Sequence, residues 1–369
     1  MISRRSLLAV AASSFAPTFL RAAARGSLIA SAFFRYEDLA TELPVLRLTD
    51  PNSTAILPAA AALPVARKGG FLLYASDLSG RFEGYRMDLK KGESRQLTEA
   101  ADLDPQSLVM VPGEAGFCYF DGGRLMSQLF TGARTTQWLK ASEGFELVPS
   151  AAVSVDGLFS AVIEKKAAVH RLRLVNVRLG TSTTLAEDDE PMLEPSVRPK
   201  RASVLYRRGG SLYLANFDGK QNYRLKTLDG SVAQAQWSPD GRSLLYLHVP
   251  SEAGKLRSIR EFTPDTNEDR AVADTTQFAA FARNADASVF VGASISKASP
   301  YVLLLARAVK RELTLCEHRA SNPAMVHPQF SPNSQQVFFS SDLHGKPAIY
   351  RMDVEKLVSD TAQTEALYK

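Results

Sequence analysis

The sequence predicts an all-β, seven-bladed β-propeller closed by an N-terminal strand that completes the last blade. Three observations predict it. Short β-branched and aromatic runs, broken by Gly, Pro, Asn and Asp, stand where helices would need long 3.6-residue periodicity. A unit of strand, tight turn, apolar strand, polar loop and further strands recurs seven times, at a spacing of roughly 40 to 47 residues. A strand with no neighbour of its own, "LPVLRLTDP" at 43–51, stands ahead of the first full copy.

The chain opens with MISRRSLLAVAASSFAPTFLRAAARGS. A basic start, a modest apolar run and Ala22-Ala23-Ala24 as a small-residue cleavage point read as an export signal over 1–24. Ser3-Arg4-Arg5-Ser6-Leu7-Leu8 fits the twin-arginine pattern, so a periplasmic or secreted location is expected. The apolar run falls far short of the ~20 residues a membrane span needs. Removing 1–24 takes away Arg4, Arg5 and Arg21 and no acid, so the formal charge of +5 becomes +2. A near-neutral mature chain argues for neither nucleic acid nor a membrane surface as partner. Cys118 and Cys316 are far apart in sequence and read as two separate buried thiols.

The first copy is "GGFLLYASDLSGRFEGYRMDLKKGESRQLTEA" at 69–100. Later copies include "AGFCYFDGGRLMSQLFTGARTTQWL", "DGRSLLYLHVPSEAGKLRSIREFTPDTNEDRAV" and, last, "SQQVFFSSDLHGKPAIYRMDV". Asp156-Gly157 and Asp240-Gly241 supply the positive φ that a tight hairpin needs. The last copy lacks its Leu-Thr strand, and 43–51 matches "ESRQLTEA" in pattern, so the early strand is expected to complete that blade and remove its open edge. One propeller then fills 25–357, and 358–369 reads as a frayed tail. No Gly-x-Ser-x-Gly elbow and no room for a hydrolase domain are present, which excludes a propeller peptidase.

"WSPDGRSLLYL" and "FSPNSQQVFFSSD" resemble the short repeat of TolB-like propellers. A narrower resemblance covers nearly the whole mature chain. "VLRLTDP", "LLYASDLSGRFEGYRMDLKKGESRQLTE" and "HPQFSPNSQQVFFSSDLHGKPAIYRMDV" are similar to the oligogalacturonate lyases of polysaccharide lyase family 22, most of all in the run at 342–350. That resemblance implies β-elimination on short pectin fragments. It also implies a divalent cation, manganese or calcium, held at the propeller axis by three histidines and a glutamine, with an arginine as base. Such a cation would neutralise the uronate carboxylate while the base removes the adjacent proton.

Carried over position by position, that site is mostly missing. Of the histidines in the loop before the last blade, His327 remains; Met325 stands for the other and Asn322 for the glutamine. The histidine of the preceding blade aligns with Ala280, the catalytic arginine most nearly with Ser211, and "NSTAILPAAAALP" has no His-Arg pair. One imidazole and one amide do not make a useful site for a hard cation, and Met is a soft ligand. For His327 two readings stand: the remnant of an altered axial site, or a structural strand residue. His170, His248, His318 and His344 lack metal-ligand spacing and read as strand or surface histidines.

Two charged stretches complete the candidates. "RPKRASVLYRRGG" at 198–210 carries five basic residues. Arg207 and Arg208 are candidates for binding uronate carboxylates, against a plainer reading of the stretch as a solvated blade edge. "AEDDEP" at 186–191 lacks the alternating spacing of a calcium loop and reads as a polar loop between blades. Two functions follow. One is a lyase-like propeller for oligogalacturonides or another acidic saccharide, with altered or lost activity. The other is a non-catalytic propeller that binds a saccharide or a protein partner.

Overall fold

The computed structural model describes residues 25–359 apart from 133, 276, 277 and 309, so the export signal and residues 360–369 lie outside the described residues. Seven antiparallel sheets form the blades of the propeller. Blade I holds Ala55–Ile56, Phe71–Ser76, Glu83–Asp88 and Ser94–Gln96, with Leu28–Ile29 added outside. Blade II holds Val109–Met110, Gly116–Phe120, Arg124–Leu129 and Thr135–Lys140. Blade III runs from Glu146–Val153 to Thr181–Asp188, and blade IV holds Met192–Val197, Ser203–Arg208, Ser211–Asn216 and Asn222–Arg224. Blade V runs from Ser231–Trp237 to Glu268–Asp274, and blade VI from Phe278–Arg283 to Arg311–Glu317.

Blade VII holds Gln329–Phe330, Gln336–Ser341 and Ala348–Asp353, followed outward by two strands from the other end of the chain. Pro44–Arg47 lies beside Ala348–Asp353, with Leu46 opposite Arg351 and Arg47 opposite Tyr350. Leu48 extends the contact by donating its N–H to Ile349 O at 2.7 Å. Phe34–Glu37 then pairs with Pro44–Arg47, an outer strand that the repeat pattern did not reveal. The connection between them docks on blade VI, where Thr41 Oγ1 donates to Leu315 O at 2.8 Å. Residues 355–359 form a helical turn, overlapping the boundary drawn at 357.

One local feature explains why the repeat is visible in sequence. In blades II to VII the residue after the inner strand donates its N–H to the carbonyl five residues on, and in blade I Ala66, just past the Val65–Leu72 bridge, does the same. The pairs are Ala66 to Phe71, Val111 to Gly116, Ser154 to Phe159, Arg198 to Ser203, Ser238 to Ser243, Asn284 to Val289 and Ser331 to Gln336, at 2.8 to 3.0 Å. Ser-Pro-Asp-Gly and its relatives suit this hairpin because a side-chain oxygen closes the first turn. Ser154 and Ser238 donate to Asp156 and Asp240, and Gly157 and Gly241 take φ of 72° and 70°.

The core is a set of seven apolar wedges, one between each pair of neighbouring blades. Leu48, Leu57 and Tyr74 meet Phe338 and Ile349 in the wedge between blades VII and I. Cys118 lies in the wedge between II and III, and Cys316 in that between VI and VII. Both thiols are free and buried, and burial pushes Cys118 up to about 12.

Candidate functional site at the axial mouth

Chain direction decides which end of the propeller can carry a site. Each inner strand runs towards its turn, and the next strand returns, so the hairpins between second and third strands share one end with the starts of the inner strands. That end is the mouth. Counting four residues back from the hairpin residue places Ser150, Glu194, Gln234, Ala280 and His327 at equivalent points of blades III to VII. The inner strands of blades III to VI each break register near this point. Ser150, Glu194 and His327 have positive φ there, 110°, 53° and 39°. A bulge of this kind re-aims side chains away from the ladder. Pro195 and Pro328 follow directly, and lacking an N–H they lose nothing where the ladder is broken.

Glu194 and His327 therefore stand at matching levels of blades IV and VII, facing across the axis. The His327 ring is reached by solvent, yet the walls of the mouth crowd it. Desolvation lowers its proton affinity and the charge of Glu194 opposes that effect. The result favours a neutral imidazole at neutral pH. Glu194 is gripped by Arg207, whose Nη2 donates to Oε1 at 2.8 Å and whose Nε donates to Oε2 at 3.2 Å. This is the fork-to-carboxylate geometry in which arginine excels. Gln234 is spoken for, its Oε1 accepting from Phe281 N at 3.0 Å.

The other candidates are placed as follows. Arg208 points into a cage of its own, donating to Asp188 and to Tyr213 Oη at 2.7 Å and stacking on the Tyr213 ring at 4.0 Å. Its charge is committed to the outer strand of blade III, which Asp188 ends. Ser211 opens the following strand opposite Arg208. Asn322 caps a short 3-10 turn, Pro323–Met325, by accepting from Ala324 N at 3.0 Å, so the amide oxygen that a cation would take is already engaged. Val326 is fully buried and accepts from Ser340 N at 2.8 Å, which anchors the loop just before His327.

The basic stretch at 198–210 is not uniformly a solvated edge. Arg198 is 6 % exposed, donates from Nε to Gly241 O at 2.7 Å and pairs with Asp265, so it ties blade IV to blade V. Within 186–191, residues 186–188 belong to a strand rather than a loop, and Asp188 serves Arg208. The remaining histidines have structural partners. His248 Nε2 bonds Asp229 O at 2.8 Å, His318 Nε2 bonds Ser294 O at 3.1 Å, His170 Nδ1 bonds Ala168 O at 3.0 Å, and His344 Nδ1 meets Tyr350 Oη at 2.9 Å.

A divalent cation does not fit this donor set. Among the described residues no three His, Cys, Asp or Glu side chains come together to hold an ion. Ala280 offers no donor, Met325 offers a thioether, and the Asn322 oxygen accepts a backbone hydrogen bond. Also among the described residues, no helix is long and apolar enough to cross a membrane.

No family model matches the chain. It is 23% identical to an oligogalacturonide lyase of Pectobacterium atrosepticum and 20% identical to an oligogalacturonate lyase of Dickeya dadantii. Both matches cover 89% of this chain and 97% of the relative. A solved oligogalacturonate lyase in complex with manganese superposes with a TM-score of 0.83 at 23% identity, covering 89% of this chain and 98% of that one. The chain is a homologue of the oligogalacturonate lyases. As such it keeps the propeller of the lyases while its axial side chains differ from the ligand set that the resemblance implies. Glu194, which the sequence reading passed over, becomes visible when the repeats are aligned on their hairpin residue: "LEPSV" and "VHPQF" then superpose.

Proposed function

We propose that the protein binds short acidic oligosaccharides, pectin-derived oligogalacturonides, at the axial mouth, and that the metal-assisted β-elimination implied by the family is lost. One observation carries the reading: a lyase-like propeller presents a guanidinium fork at its mouth, where among the described residues no cluster of donors for a cation stands. A uronate carboxylate needs a cationic partner, and Arg207 offers one with matching planar geometry. Elimination needs more, because charge grows on the carboxylate side as the proton leaves, and a divalent ion stabilises that growth best. The desolvated His327 can hydrogen-bond a sugar hydroxyl from the opposite wall. We also place the protein outside the cytoplasm, on the Ser3-Arg4-Arg5 leader.

The test uses purified mature protein and trigalacturonate, with and without manganese. Calorimetry reads binding, and ultraviolet absorbance reads unsaturated uronide. Saturable binding without product is expected. Manganese-stimulated product would overturn the loss of elimination, and absence of binding in both conditions would overturn the saccharide reading.

A further inference from the structure

Glu194 is an unusual residue to find at this point. Its backbone is left-handed, φ 53°, a region that charged side chains seldom occupy without compensation. Its equivalents in blades III, V and VI are Ser150, Gln234 and Ala280, so the blade architecture does not call for a carboxylate. Both oxygens of that carboxylate are taken up by Arg207. The Glu194 side chain is 48% exposed and that of Arg207 23%, so the pair lies open to the mouth and is held weakly.

We propose that Arg207 is the carboxylate-binding group of the mouth and that Glu194 occupies its fork in the free protein until a galacturonate carboxylate displaces it. The proposal rests on the saccharide reading above. Chemically the exchange is carboxylate for carboxylate, with no bond made or broken and no metal required. After displacement Glu194 turns into water that already reaches it. An internal carboxylate of this kind sets specificity as well. A neutral sugar cannot compete for the fork, whereas a uronate presents the same planar pair of oxygens as Glu194 itself.

Calorimetric titration with trigalacturonate in EDTA tests it, using wild type, Glu194→Gln, Arg207→Gln, Arg207→Lys and Glu268→Gln. Glu268 begins an exposed strand at the opposite end of blade V, so its change matches the gain of charge without touching the mouth. Glu194→Gln is expected to bind about two- to fivefold tighter than either wild type or Glu268→Gln, the equivalent of removing one exposed ion pair. Arg207→Gln should bind at least about tenfold more weakly, with Arg207→Lys in between because it keeps the charge and loses the fork. Thermal melts establish that each variant is folded. Binding abolished by EDTA, or unchanged in Glu194→Gln relative to Glu268→Gln, would overturn the exchange while leaving a saccharide-binding mouth. Failure of every protein to bind, with manganese as well as without, would remove the saccharide reading itself.

Discussion

Alanine at Gly241 is expected to cost far more than alanine at Gly157, although the two glycines hold equivalent places in blades V and III. Each donates its N–H back to the serine three residues earlier, at 3.0 and 2.8 Å, and each is left-handed. A left-handed alanine costs about 1–2 kcal/mol at either site. At Gly157 an added Cβ meets nothing within 4 Å. At Gly241 it would stand 2.0 Å from Pro199 O and 3.0 Å from Pro199 C, so the hairpin of blade IV must move. That movement pulls Arg198 Nε from Gly241 O and forfeits a charge-assisted hydrogen bond worth about 1.5–3 kcal/mol. The sum for Gly241→Ala is about 2.5–5 kcal/mol, against about 1–2 for Gly157→Ala. Urea unfolding followed by tryptophan emission suits the measurement, because the Arg198 guanidinium lies 5.1 Å from the Trp237 ring. Equal losses at the two sites would refute the reasoning. The comparison also bears on the mouth, since Arg198 anchors the lower end of the inner strand that carries Glu194.

Three further outcomes are expected. Leu48→Ala should destabilise the protein by about 2–5 kcal/mol, because Leu48 is fully buried in the wedge that joins the two chain ends; thermal or urea unfolding measures it. Stability should fall as pH drops below the ordinary histidine value of 6.5. His318 is 1% exposed and accepts from Ala320 N through Nδ1, and desolvation holds its folded pKa low against the opposing pull of the Ser294 O hydrogen bond and the Asp342 charge. The unfolded chain then takes up the proton first, the stabilisation is complete above 6.5 and declines below it, and His318→Gln should flatten that part of the melting-temperature profile. Finally, both thiols should resist a disulfide reagent in the native protein and react in denaturant, as expected for buried, unpaired cysteines; native reactivity of Cys118 would contradict its burial.

The blades were legible because the hairpins of blades III, V, VI and VII share a Ser or Asn followed two residues on by Asp or Asn, and the apolar strand after each hairpin is long. The inner strands of blades I and VII, Ala55–Ile56 and Gln329–Phe330, are two residues each and leave no periodic trace. Phe34–Glu37 and Leu28–Ile29 were missed for a different reason: they borrow their partners from distant sequence, and nothing local marks them as strands. At the mouth, His327, Arg207 and the presence of Ala280 and Met325 where the resemblance implies histidines could be read from the chain. Glu194 could not be singled out by composition, since its position depends on a bulge and a left-handed backbone. The clue was the shared x-Pro step in "LEPSV" and "VHPQF", informative only once the hairpin fixes the register. Arg208 looked equal to its neighbour in sequence, but alternation along the strand sends it into the Asp188 and Tyr213 cage.

The central claim is that the mouth of this propeller works with a guanidinium and without a bound metal ion. Manganese titration of the native mature protein, followed by electron paramagnetic resonance of the free ion, tests it most directly. The free signal should track total manganese in wild type and in His327→Ala alike. Stoichiometric uptake by the wild type that disappears in His327→Ala would contradict the account.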